Sequence, residues 1–296
     1  MPGLIIGVMI VSLARKEFAV KGGSAPLTRF VLGICLMVGA FIFIGCPTTM
    51  LLRLARGDFN ALVGLFGFAA GVFGGMFFLN RGFSLKRTYS ISKSDGFVLP
   101  AISVMLLIVL LFFPAILNFS EAGFASFRAP FIVSLIGGLI IGGLTFVSRI
   151  CTVAVIRDSI FFKSFSMLSM FIPVMIILII YNIIFGHFSL GFDPQPFAHN
   201  DGLWNFLGLA LVGFVSVLIG GCPFRQLVLA GSGNSDAGVT IIGMMVGSAL
   251  VHNFGLASTS VGISERAPAG FAIAAIIAVA IAVYNTFLDK KAGNNS

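Results

Sequence analysis

Two cysteines stand in the same tripeptide. Gly45-Cys46-Pro47 closes one apolar run, and Gly221-Cys222-Pro223 closes another 176 residues later. The same offset pairs Phe30 with Phe206, Leu51 with Leu227, Gly57 with Gly233, Ala61 with Ala237, Gly67 with Gly243 and Gly71 with Gly247. Proline lacks an amide hydrogen and disrupts the turn before it, while glycine permits unusual backbone angles. Each Gly-Cys-Pro therefore breaks a helix, bares backbone groups and aims its thiol into whatever the break lines. Such backbone is tolerated at membrane depth only inside protein or beside a polar cavity. A cysteine outside a disulfide is most often a small buried hydrophobe. A thiol duplicated beside a break points instead to a membrane pathway built from two related halves.

Other side chains near the breaks carry charge or sulfur. Cys151 follows Arg149 and precedes Arg157-Asp158. One reading makes it a third thiol of the pathway, with Arg149 or Arg157 attracting an anion. The plainer reading leaves both arginines as loop cations and pairs Arg157 with Asp158. Cys35 has no counterpart at the offset, where Leu211 stands, and reads as packing. Arg53, Arg56 and Arg225 flank the two Gly-Cys-Pro breaks, where a cation draws an anionic substrate. Asp58 and Asp236 are expected as helix N-caps, a role that Asn60 and Asn234 could share. His252 falls inside an apolar run, which makes it a functional candidate, or it lies at the outer end with a backbone carbonyl as partner. No CxxC pair, zinc spacing, P-loop, His/Glu cluster or catalytic triad is present. The expected function is therefore not enzymatic, with no metal and no cofactor.

Composition sets the solvent. Of 296 residues, 58% are hydrophobic and 9% charged, against about 25% charged in an ordinary soluble domain. Mean hydropathy is +1.10. The net charge of +8 raises nucleic acid as a partner. Its Lys and Arg lie between apolar runs, where membrane orientation explains them better, so no nucleic-acid partner is expected. The expected surroundings are a lipid bilayer.

Nine apolar spans are expected, at 2–14, 30–45, 60–80, 98–117, 130–148, 165–186, 203–220, 236–256 and 269–288. The stretches after the two breaks, Met50–Asp58 and Gln226–Asp236, read as half-helices returning toward the surface. With the N-terminus outside and the C-terminus inside, only Arg53, Arg56, Arg128 and Arg266 of the 18 Lys and Arg fall in outer loops. This bias matches the rule that cationic loops stay inside. The Gly-Cys-Pro motifs follow the second and seventh spans, so an odd number of crossings separates them and the second copy is inverted. Inverted repeats with broken helices are a signature of transporters. The expected fold is thus an all-α polytopic membrane protein. It divides into a first repeat, 1–120, and a second, inverted repeat, 121–296, within a single membrane domain. The stretch 148–158 lies between spans five and six. Its counterpart is expected ahead of the first span, so the first repeat reads as one helix and one half-helix short.

With these residues in view, the sequence resembles the YeeE/YedE family of sulfur-transport membrane proteins, and most closely its YedE-type branch of selenium-metabolism proteins. The segments that carry the resemblance are 45–68, 81–87, 148–158, 198–208, 220–237 and 252–258. YedE-type proteins usually open with a helix and a Cys-containing segment like 148–158, and this chain starts after it. The expectation is a start assigned too late or a truncation. The resemblance implies an inner-membrane uptake path along which cysteines hand the substrate inward through S–H···S contacts. Thiosulfate is the substrate of the YeeE branch. Cys46 and Cys222 match the repeated cysteine motif, and Cys151 matches the cysteine opening a repeat. A neutral thiol is polarizable and weakly hydrogen-bonding, so it passes a soft anion without trapping it. The expected cargo is a small selenium- or sulfur-containing anion. A second expectation is a membrane thiol carrier that hands selenium or sulfur covalently to a small cytoplasmic sulfur-carrier protein. A third is a structural membrane subunit.

Overall fold

The computed structural model describes residues 1–112, 129–192 and 198–288. Arg128, Asp193, Lys290, Lys291, the 120/121 repeat boundary and the end of the fourth expected span lie outside the described residues. The chain is an all-α polytopic membrane protein. Its helices are α1 (Pro2–Ala14), α2 (Pro26–Phe43), α3 (Pro47–Leu54), α4 (Phe59–Asn80), α5 (Lys93–Phe112) and α6 (Phe131–Ser148). There follow α7 (Thr152–Phe161), α8 (Ser166–Ile184), α9 (Gly202–Ile219), α10 (Pro223–Gly231), α11 (Ser235–Asn253) and α12 (Ala267–Val283), which runs on into a π-helical turn, Tyr284–Leu288. Two-residue strands, β1 (Lys21–Gly22) and β2 (Tyr89–Ser90), pair antiparallel.

Eight described helical stretches are long and apolar enough to cross a membrane. The first expected span is the exception. Its 13 residues rise about 20 Å, short of the roughly 30 Å hydrocarbon layer. Three of the eight, Pro26–Leu54, Phe131–Phe161 and Gly202–Gly231, run to about 30 residues because each is a long helix followed by a short one. Six of the seven isoleucines of α8, Ile172, Ile176, Ile177, Ile180, Ile183 and Ile184, stand half or more exposed, a surface that belongs in lipid.

The chain folds into two compact units. One holds Met1–Pro26, Lys86–Ile150 and Arg225–Ile241. Here α1 lies along α6, so that a Cβ at Gly7 would enter the Leu139 backbone. Asp236 was expected as an N-cap, but Asn234 takes that role and accepts the Ala237 N–H at 3.0 Å. The Asp236 carboxylate reaches back to the segment before α2, accepting the Gly23 N–H at 2.9 Å and the Ser24 N–H at 3.2 Å. A loop that leaves two amides and the Ser24 hydroxyl to be met outcompetes a helix end that a neighbouring Asn can serve.

The other unit holds Leu27–Leu85, Cys151–Phe224 and Ile242–Ser296. Its core is the contact of α4 with α9, with Phe68, Val72, Leu209 and Val212 fully buried. Without a hydrophobic drive between helices in lipid, close van der Waals approach must hold them, and small residues allow it. A Cβ on Gly67 would enter the Phe206 carbonyl, and one on Gly71 the Ala210 carbonyl. At the same offset of 176, a Cβ on Gly243 would enter the Phe30 carbonyl and one on Gly247 would lie 2.9 Å from the Ile34 Cα. Both members of each contact shift together, which gives the glycine pairs their reason. We expect Gly67→Ala and Gly243→Ala each to cost about 1–3 kcal/mol, because the obstructing atoms are backbone. Gly137→Ala, whose Cβ would meet nothing within 4 Å, should be neutral in the same thermal unfolding in detergent.

Candidate functional site: three cysteines at helix breaks

Each of the three long apolar stretches breaks in the same order: a left-handed residue, one further residue, a cysteine, then a short helix. The left-handed residues are Ile44 (φ 60°), Arg149 (φ 53°) and Gly220 (φ 86°). After each comes its cysteine: Cys46 before α3, Cys151 before α7 and Cys222 before α10. Pro47 and Pro223 take the first helical position, where a missing N–H costs nothing. The half-helices therefore start at the proline itself, earlier than Met50 and Gln226 as expected from sequence.

The first and third breaks close alike. The Gly45 N–H donates to the Ala40 carbonyl and the Gly221 N–H to the Ser216 carbonyl, both at 2.8 Å. These are Schellman closures, which place the preceding residue in the left-handed region. Gly220 adopts that region freely. Ile44, its counterpart, is β-branched and does so under strain of order 1–3 kcal/mol.

Cationic and polar side chains take the carbonyls that the breaks bare. His199 Nε2 lies 2.7 Å from the Ile42 carbonyl, and Arg53 Nη1 donates to the Phe43 carbonyl at 3.3 Å. Arg29 Nη1 donates to the Ile219 carbonyl at 3.2 Å, the position equivalent to Phe43. Arg53 is further held by Asp58 Oδ2 at 2.7 Å, with the Phe43 ring 4.4 Å from its guanidinium carbon. Asp58 caps α4 as expected, accepting the Asn60 N–H at 2.8 Å. Asn182 Nδ2, from α8, donates at 3.1 Å to the Ala55 carbonyl beyond α3. Arg29 and His199 had no site role in the sequence reading. Their signal was position alone: each lies at the start of the helix that precedes a break or in the loop leading to it.

The thiols differ in setting. Cys46 is half-buried, with its sulfur 3.7 Å from Thr49 Oγ1. Cys151 and Cys222 are both buried. The amides of Val153 and Ala154 stand in the first turn of α7, directly after Cys151. Cys35 is buried within α2.

The remaining candidates are spread out. Arg56 is half-buried, and its side chain makes no hydrogen bond or ion pair among the described residues. Arg149 is exposed and lies 3.5 Å from Glu17. Arg157 pairs with Asp158 at 2.8 Å. Arg225 is half-buried and engaged. His252, in the last turn of α11, meets the Phe41 ring edge-on at 4.7 Å. A crevice of about 420 Å³ opens beside Thr152, but Leu51, Leu65, Ile156, Phe171 and Met175 make it apolar and unsuited to an anion. No group of three His, Cys, Asp or Glu among the described residues is placed to hold a metal.

Two outcomes follow. Asp58 and Arg53 are both buried, so Arg53→Ala strands a buried carboxylate and should cost about 3–5 kcal/mol, whereas Arg56→Ala should stay within about 0.5 kcal/mol in denaturant unfolding. His199 is held below the usual 6.5 first by burial, then by Arg53, against the opposing pull of the Ile42 carbonyl and Asp201. The folded state thus favours neutral imidazole. Its contribution is full above pH 6.5 and is lost as pH falls through the lowered value, an acid sensitivity that His199→Gln should remove.

Searches of curated proteins and of solved structures find no match. A family model described as sulphur transport matches residues 147–288, a stretch that opens just before Cys151 and contains Cys222. Over that stretch the chain is similar to the sulphur-transport family, the YeeE/YedE membrane proteins.

Proposed function

We propose that this membrane protein carries a small selenium- or sulfur-containing anion, selenium compound or thiosulfate-like, along Cys46, Cys222 and Cys151. The observation that carries the reading is the triple recurrence of a cysteine at the start of a short helix inside an apolar stretch. The bare amides of a helix start favour an anion, and a neutral thiol offers it a weak, soft donor. Several such weak sites in series permit conduction, where one strong site would trap the cargo. Burial of Cys151 and Cys222 excludes water that would compete for the anion.

The arginines divide by role in this account. Arg53 and Arg29 support the breaks, since both are engaged with break carbonyls. Arg56 is left to attract the anion, together with Arg149 and Arg225, the arginines beside the other two breaks in sequence. The two halves, 1–120 and 121–296, act as inverted repeats in one membrane domain of the inner membrane, with the C-terminus in the cytoplasm. The matched glycine contacts support this division. A second reading rests on the same thiols, a carrier that passes sulfur or selenium covalently to a small cytoplasmic sulfur-carrier protein.

The test is uptake of labelled thiosulfate and labelled selenium compounds by cells expressing the wild type or Cys46→Ala, Cys222→Ala or Cys151→Ala at matched membrane levels. Loss of one S–H contact worth about 1.4 kcal/mol predicts about a tenfold fall for each variant. Unchanged uptake in all three sinks the thiol path. A persulfide or perselenide on Cys151 or Cys222, found by mass spectrometry after gentle extraction, favours the carrier instead.

A further inference from the structure

The segment 17–24, between α1 and α2, is a strap laid along the turn that follows α10. The Ala19 N–H donates to the Ser232 carbonyl at 3.2 Å, and Lys21 bridges Asn234 in parallel. The Phe18 ring fills the space that a side chain at Gly233 would need and stacks on Phe97, with 4.7 Å between centroids. At its other end the strap hangs on one side chain. The buried Asp236 carboxylate accepts the Gly23 and Ser24 amides and the Ser24 hydroxyl. The residues that bound the strap, Lys16 (φ 56°) and Ala25 (φ 42°), both hold left-handed angles, which strain a residue with a side chain. A segment strained at both ends and fastened by one carboxylate is built to leave as a unit, and its two end residues relax when it does.

The fastening recurs at the first break. At the offset of 176, Ser24 corresponds to Asn200 and Asp236 to Asn60. Those side chains also meet, Asn60 Nδ2 donating to Asn200 Oδ1 at 3.2 Å. The backbone bridges match as well: Asn234 corresponds to Asp58, which bridges Gly191 in parallel. One such contact is packing; the same contact on matched residues of both repeats marks a working part. Cys222 heads α10, and the strap holds the turn at its tail. Gly220 and Gly221 stand just before Cys222, so α10 has a flexible joint at one end and a fastening at the other. We propose that the segment 17–24 is the gate strap of the second Gly-Cys-Pro break: released from Asp236, it lets α10 tilt about Gly220–Gly221 and opens Cys222 to the anion. The inference rests on the thiol-path reading.

The experiment uses the full chain in native membranes with its own cysteines kept. A Cβ on Gly22 would lie 3.1 Å from the Ser235 Cβ, so Gly22→Cys with Ser235→Cys closes to a disulfide after a small adjustment. Copper phenanthroline forms the lock, peptide mapping verifies it, and uptake of labelled thiosulfate is read against wild type treated alike. The reduced variant should transport, the locked one should not, and dithiothreitol should restore uptake. Locked protein that transports like the reduced form overturns the gate. The second arm weakens the latch. Ser24→Ala removes one hydrogen bond to the carboxylate, so local opening and alkylation of Cys222 by N-ethylmaleimide should rise about tenfold. Alkylation of Cys35, buried within α2, should stay at the wild-type rate. An unchanged Cys222 rate, or an equal rise at Cys35, makes the strap a static support and overturns the proposal. Where the double variant does not reach the membrane, these rates decide alone. The two readings fail separately. If the lock stops uptake while Cys222→Ala transports normally, the gate stands and the thiol path falls. If Cys222→Ala loses uptake while the lock changes nothing, the path stands and the gate falls.

Discussion

Breaking a helix inside a membrane exposes backbone carbonyls that lipid cannot satisfy, and the rest of this structure depends on how that debt is met. The carbonyls of Ile42 and Phe43 are taken by His199 and Arg53, and that of Ile219 by Arg29. The amides beyond them fold back in Schellman closures. Only when both sets of groups have partners can a short helix start anew at a proline, with a cysteine at its head. The ion pair of Arg53 with Asp58 extends the same arrangement, because it ties the carbonyl-capping arginine to the start of α4.

From this follows the placement of sulfur. A cysteine in the middle of a helix would face whatever its side of the helix faced. At a break its position is set by two backbone segments and by the side chains that hold them. The chain uses this device three times, and twice with the same tripeptide. The close glycine contacts of α4 with α9, and of α11 with α2, hold each helix that ends in a Gly-Cys-Pro break tightly against a neighbour. The likeness of residues 147–288 to the sulphur-transport family gives the device a purpose, since soft anions need soft, weak and serial contacts.

Much of this was legible from residues alone. Apolar runs and loop charges located every long helix, and the duplicated Gly-Cys-Pro located two breaks. The matched glycines were legible as pairs, but their partners were not, since a backbone carbonyl on another helix leaves no mark in sequence. Asp236 illustrates the limit. As an acid near a helix start it read as a cap, yet a distant loop with bare amides claims it, and Asn234 two residues earlier serves the helix. Arg53 read as a free cation near a thiol because its ion-pair partner, Asp58, was assigned to a cap; it does both.

The central claim is that the anion travels by way of these thiols, and the most direct measurement is to locate it. Selenosulfate soaked into or frozen with the protein carries an anomalous scatterer in the position of the soft sulfur. The account predicts selenium peaks in contact with Cys46, Cys151 and Cys222. Selenium bound only at sites remote from all three sulfurs would contradict it.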